Sequence, residues 1–429
     1  MSDPEPKPSS RLLARVPFDT TALRTGPVKR YYLATLIGAL GTGLTLSLFV
    51  VYFVQARHFH VVVATLLLSW ESILGLGISP VYGTLVDKYG PSRVLTVAMP
   101  VVALGIASIG FASTVPLAFA SATAIAMGGA GTWGALTVLL TRIVPEPDRQ
   151  NAFGVNFMIL NLGIGLGGLV GTSLANVQRI ASFESLYLAS GSLAMAAAVL
   201  VFTLRRFGGP SQAPVHHETV REGWHEVVRD TRLLRYLAVT TLLVICGYGS
   251  VEAGLPLFVT RIVHLPINRV GLLFFFNTFT IIFAQLFVLG RIQRRSRSLL
   301  LGVVGLAWGT SWLLATASVA MGALAAAATL CLGQVIFALG ETMWAPVAPA
   351  LVNDLAPEHL RGRYNALSGL VWGVSGTIGP LIAGLFLAGG HGTAWTLTIA
   401  AGALVGGIGA TTLRRVLTPA EDGRDLAAP

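Results

Sequence analysis

Three glutamates, Glu71, Glu252 and Glu341, each stand within a long run of apolar residues, with no Lys or Arg at helical-neighbour spacing to neutralise them. An ionised side chain at the centre of a bilayer costs about 2.5–3.5 kcal/mol on insertion scales, so such a group normally faces a water-filled cavity or takes up a proton. The chemistry on offer is the binding and release of protons and the attraction of a cation. Tyr248 precedes Glu252 by four residues, a spacing that allows a hydrogen bond on one helix face. Trp344 follows Glu341 by three residues, and Trp133 lies in another apolar run. Aromatic faces beside carboxylates suit a lipophilic cation.

The elements that must carry these residues are membrane helices. The chain has 429 residues, 54% hydrophobic and only 11% charged, less than half the charged share of an ordinary soluble domain. Runs long enough to cross a hydrocarbon layer of ~30 Å as helices fall at 31–54, 62–85, 94–112, 116–140, 152–172 and 183–204. After a polar interval, six more fall at 234–259, 268–290, 298–316, 320–345, 364–388 and 393–413. The expected fold is an all-α integral membrane protein, with twelve transmembrane helices in two pseudo-symmetric six-helix bundles at 31–204 and 234–413.

When the connections are assigned alternately to two sides, 25 of the 29 Lys and Arg residues fall on one side, leaving Arg57, Arg179, Arg261 and Arg269 on the other. Positive residues are retained on the cytoplasmic side, so residues 1–30 and 414–429 are expected to be cytoplasmic tails of a plasma-membrane protein. Residues 1–30 lack the apolar core and cleavage site of a signal peptide. The interval 205–233 is read as a cytoplasmic linker in which Val220, Trp224, Val227 and Val228 recur at amphipathic-helix spacing.

The net charge of +10 is not gathered on a polar face or interleaved with aromatic residues, so nucleic acid is not an expected partner. Cys246 and Cys331 lie in apolar runs without metal-ligand spacing, and His216 and His217 lack acidic or Cys partners at such spacing. No metal or cofactor is expected. Scattered histidines also argue against a membrane enzyme, which should cluster His, Asp or Cys near one face. A monomer working on a small-molecule substrate and protons in a lipid bilayer is the expected assembly.

Two segments repeat. Pro145, Glu146 and Arg149 of PEPDR match Pro357, Glu358 and Arg361 of PEHLR at a constant offset of 212, and Gly167 falls on Gly379 at the same offset. Each coincidence lies between the fourth and fifth spans of its half or in the Gly-rich helix that follows, which points to an internal duplication.

Gly83, Leu85, Asp87, Lys88, Gly90 and Arg93 of GTLVDKYGPSR resemble the signature loop between helices two and three of the major facilitator superfamily, over a resemblance that covers essentially residues 31–413. Gly83 is expected to allow close approach of a neighbouring helix. Asp87 is unfavourable at its own helix C-terminus and favourable against another helix's N-terminus. The resemblance implies that this partner is helix eleven, making a latch between the bundles. Gly runs in helices five and eleven look like the antiporter motif of drug/proton exchangers, although tight packing alone also explains them. The resemblance further implies that helices one, four, seven and ten line a central cavity, favouring Glu252 and Glu341 over Glu71. Residues 116–140 contain no Arg, where many drug exporters carry one. The expected function is proton-coupled export of small lipophilic or cationic compounds by alternating access. The alternative is import or facilitated passage of a small neutral metabolite such as a sugar or organic acid.

Overall fold

The structure is a computed structural model that describes residues 25–145, 148–209, 225–292, 295–357 and 360–424. Twelve helices carry the expected runs: α1 Gly26–Ala56, α2 Val61–Tyr89, α3 Pro91–Ile109, α4 Val115–Ile143, α5 Arg149–Leu174, α6 Ile180–Phe202, α7 Thr231–Ile262, α8 Asn268–Ile292, α9 Arg297–Ser318, α10 Ala323–Leu355, α11 Arg361–Ala388 and α12 Gly392–Thr412. Among the described residues, eleven are long and apolar enough to cross a membrane. The other, α8, has 25 residues and occupies the place of the expected eighth span.

Local chemistry starts these helices where the hydrophobic runs begin. Proline stands in the first turn of α1, α3 and α4, where its missing N–H costs nothing. Asp230 caps α7 by accepting from the backbone N–H groups of Arg232 at 2.8 Å and Leu233 at 3.4 Å. The turn from α2 to α3 passes through Gly90 at φ 84°, a left-handed conformation that glycine adopts without a Cβ penalty. Past α12 the chain folds back. The buried Asp422 accepts from the Ser298 N–H at 2.8 Å and the Ser296 hydroxyl at 2.6 Å at the start of α9, and Glu421 pairs with Arg232 at 2.6 Å.

Among the described residues two helices contain π-turns, and they are the equivalent pair. α1 ends in a π-turn at Tyr52–Ala56 and α7 in one at Phe258–Ile262, with a further π-turn at Ile245–Gly249. His58 and His264, 206 residues apart, close these ends at the same φ of 58°.

Packing repeats after six helices. Within the first half α1 packs on α5 and α6, α2 on α4, and α3 on α4 and α6; within the second α7 packs on α11 and α12, α8 on α10, and α9 on α10 and α12. The halves meet through α2 with α11 and α5 with α8, again equivalent pairs. The expected amphipathic helix falls mostly on residues 210–224, outside the described residues, while Val227 is buried.

Candidate functional site

The carboxyl groups on α2, α7 and α10 are gathered rather than dispersed. Glu252 on α7 is exposed and lies within electrostatic reach of both Glu71 on α2 and Glu341 on α10. Glu341 is buried at 8% exposure and accepts from the Asn277 side-chain amide of α8 at 2.6 Å. Glu71 has one carboxyl oxygen, Oε1, enclosed without a hydrogen-bond partner among the described residues. Among the described residues none of the three makes an ion pair. A carboxyl group enclosed without a partner or a counter-charge is under pressure to gain one, and a proton or a cation supplies it.

Tyr248 behaves differently from the expectation built on its spacing to Glu252. It lies in the π-turn Ile245–Gly249, which breaks the regular alignment of positions four apart. Its hydroxyl is directed to Glu341 across the helix interface. Its ring belongs to an aromatic cluster, 4.9 Å from Trp372 and 5.6 Å from Trp308.

Trp344, expected to offer a free face to a cavity, is only 5% exposed; it packs on Trp308 at 5.6 Å, because the large side chains of α9 and α10 fill their common interface. Trp133 on α4 is 67% exposed and lines a cavity within the first six helices. Asn277 and Trp372 were not singled out from sequence. The signal for Asn277 was present as an amide inside the apolar run FFFNTFT.

At the signature turn the described residues show no partner for the expected latch. A Cβ at Gly83 would meet nothing within 4 Å, so Gly83 makes no close helix contact. Among the described residues Asp87 has no hydrogen bond or ion pair, and the ammonium group of Lys88 sits over the Tyr89 ring at 5.2 Å. Arg93 is exposed. The α2–α11 contact lies further along α2, where the Ser69 hydroxyl donates to the Thr377 carbonyl at 2.7 Å and Gly373 and Gly376 face Leu76 and Ser72. The turn itself is held by the start of the linker: Ser92 N–H donates to the Gly208 carbonyl at 3.3 Å.

At the opposite end of the helices, Gln55 on α1 donates through Nε2 to the Thr260 hydroxyl on α7 at 2.7 Å. The halves are therefore joined at the π-turn end, while Asp87, at the other, has no partner among the described residues.

A sequence profile of the Major Facilitator Superfamily matches residues 31–320 and 270–429. An uncharacterized MFS-type transporter, YhjO, of Bacillus subtilis is 22% identical over 371 residues, 85% of this chain and 87% of the relative. A Na(+), Li(+), K(+)/H(+) antiporter of Planococcus maritimus is 24% identical over 378 residues, 81% of this chain and 86% of that protein. Among solved structures, a POT peptide transporter in complex with sulfate superposes with a TM-score of 0.74 at 14% identity, covering 93% of this chain and 95% of that one. The nucleoside transporter NupG superposes with a TM-score of 0.70 at 11% identity, covering 90% and 99%. These two likenesses concern the fold.

Proposed function

The chain belongs to the Major Facilitator Superfamily and is a multi-pass membrane transporter rather than an enzyme, and on that premise we propose that it is a proton-coupled antiporter exporting small lipophilic or cationic compounds by alternating access. The observation that carries this reading is the gathering of Glu71, Glu252 and Glu341 without a basic partner among the described residues. Glu252, exposed between its two neighbours, is the group that meets cargo or proton first. Glu341, held by Asn277 and faced by Tyr248, is the second exchange site. A carboxylate that takes up a proton loses its attraction for a cation, so the two occupants exclude one another at the same oxygen atoms and an inward proton gradient drives cargo out. The relative whose name couples monovalent cations to protons supports the same class of exchange. The charge bias of the connections supports cytoplasmic termini in a plasma membrane.

The test is efflux of ethidium from proteoliposomes with and without an imposed pH gradient, for the parent, Glu71→Gln, Glu252→Gln and Glu341→Gln. Glu252→Gln and Glu341→Gln lose the gradient-driven component by tenfold or more, because an amide neither takes up the proton nor bears the charge. Gradient-driven efflux that survives unchanged in both variants removes the carboxyl cluster from the coupling.

A further inference from the structure

A second concave site lies apart from the carboxyl cluster. Helices α1, α3, α4, α5 and α6 enclose a cavity of about 390 Å³ inside the first half, within the range of drug-sized pockets. None of the three glutamates lines it, and none of its lining side chains is charged. Burying a cation there would leave its charge uncompensated, so the chemistry of the walls selects an uncharged occupant.

The polar groups of the cavity are unequally committed. The Tyr31 hydroxyl donates to the Leu136 carbonyl at 3.1 Å, and Thr132 and Thr137 donate to carbonyls of their own helix at 2.8 and 3.0 Å. Thr35 donates to Asn156 Oδ1 at 3.0 Å. That bond fixes the orientation of the Asn156 side chain and leaves its amide hydrogens without an acceptor among the described residues. Free donor capacity thus lies at the Asn156 amide and at the Trp133 indole N–H, where either meets an acceptor on an incoming molecule. Trp133, also in the lining, is 67% exposed and offers the face of an indole for stacking on a planar ring.

We propose that this cavity is a binding site for an uncharged aromatic molecule bearing a carbonyl-type acceptor, held by the Asn156 amide and the Trp133 ring. The proposal rests on the transporter reading and deepens it, since it names a class of cargo that does not need a carboxylate. Cargo and proton then occupy different places in the molecule. For this uncharged cargo, unlike a cation at the carboxyl cluster, exchange with the proton is set by which conformation each stabilises and not by direct displacement from one oxygen atom.

Tritiated benzophenone, neutral and aromatic with a single carbonyl, is a suitable probe. The full chain in lipid nanodiscs is photolabelled over a concentration series, and the labelled peptides are mapped by mass spectrometry. The expected result is a saturable component in peptides spanning 132–137 or 153–164, undiminished by excess tetraphenylphosphonium. Gly38→Leu places a side chain in the cavity, and its Cβ meets only the Ala197 Cβ at 3.5 Å, an ordinary contact; saturable labelling should fall at least tenfold. Asn156→Leu keeps the size and removes the donor, weakening binding about fivefold, the value of one neutral hydrogen bond. Labelling that is non-saturable, spread over all helices, displaced by the cation or unaltered in Asn156→Leu overturns the proposal, and the parent map together with Asn156→Leu decides it even if Gly38→Leu does not fold. Binding of the probe by Glu252→Gln should match the parent, so loss of proton coupling in that variant is read separately from loss of this site.

Discussion

Replacing Gln55 by Met tests whether the contact between α1 and α7 holds one end of the transporter shut. The Gln55 amide donates to Thr260 Oγ1 at 2.7 Å, and the same hydroxyl donates to the Pro256 carbonyl at 2.8 Å. Methionine has nearly the length of glutamine and no donor. The substitution therefore removes the bond between halves and leaves the Thr260 hydroxyl satisfied within its own helix. A neutral hydrogen bond is worth a net ~0.5–1.5 kcal/mol, so the ratio of closed to open conformations at this end should fall roughly two- to twelvefold. Spin labels on cysteines placed at the exposed positions Gln178 and Asn268, in a background lacking Cys246 and Cys331, report that ratio as the areas of two distance populations. A change below twofold, or a shift towards the closed population, refutes the assignment of this bond as a latch.

Two further outcomes follow from particular contacts. Gly379→Val forces a side chain against the Gly249 backbone and should cost about 1–3 kcal/mol, seen as earlier thermal unfolding in detergent; Gly129→Ala, whose Cβ meets nothing within 4 Å, should leave the transition unmoved, and equal effects would contradict the packing. At Asp230, burial pushes the carboxyl up but hydrogen bonds from Tyr364 and Arg232 outweigh it and hold it below its ordinary value. With the folded value below the unfolded one, this contribution to stability is complete above about pH 5 and is lost as pH falls below about 4 through the folded value. Tyr364→Phe removes one donor, so it should lower stability near neutrality and flatten the acid limb; an acid limb as steep as the parent's argues against it.

Helix positions were legible because each span is an apolar run bounded by proline, glycine or charge, and the duplication was legible because PEPDR and PEHLR survive in equivalent links. The rotation of each helix was not. A helix that is apolar nearly all round carries little amphipathic signal of which face is turned inward. Nothing in the spacing of Glu341 and Trp344 could say that one meets Asn277 while the other packs against Trp308. Tyr248 was misdirected by an assumption of regular helix, and π-turns leave no mark in the hydrophobic pattern. The expected contact of Gly83 and Asp87 with helix eleven has no counterpart among the described residues; a sequence common to several conformations does not specify one.

The groups proposed to bind protons and the surfaces on which the halves meet are built from adjoining residues. On α2, Glu71 precedes Ser72, which faces Gly376 of α11; on α8, Asn277 precedes Thr278, which faces Gly165 of α5. The two pairs are 206 residues apart, the separation of His58 and His264, so one is the repeat image of the other. In one copy the first member is a carboxyl within reach of Glu252; in the other it is the amide that holds Glu341. These two contacts between halves thus lie one residue from Glu71 and from the Asn277 amide that holds Glu341, and both lie where small residues admit sliding. On the proposed exchange, replacing a proton by a cation at Glu252 or Glu341 would change the forces on Glu71 and Asn277, and through their neighbours on both interfaces at once. Duplication has supplied the contact surfaces in matched pairs, while divergence at a single position, Glu71 against Asn277, has given one copy a titratable group and the other a hydrogen-bond donor.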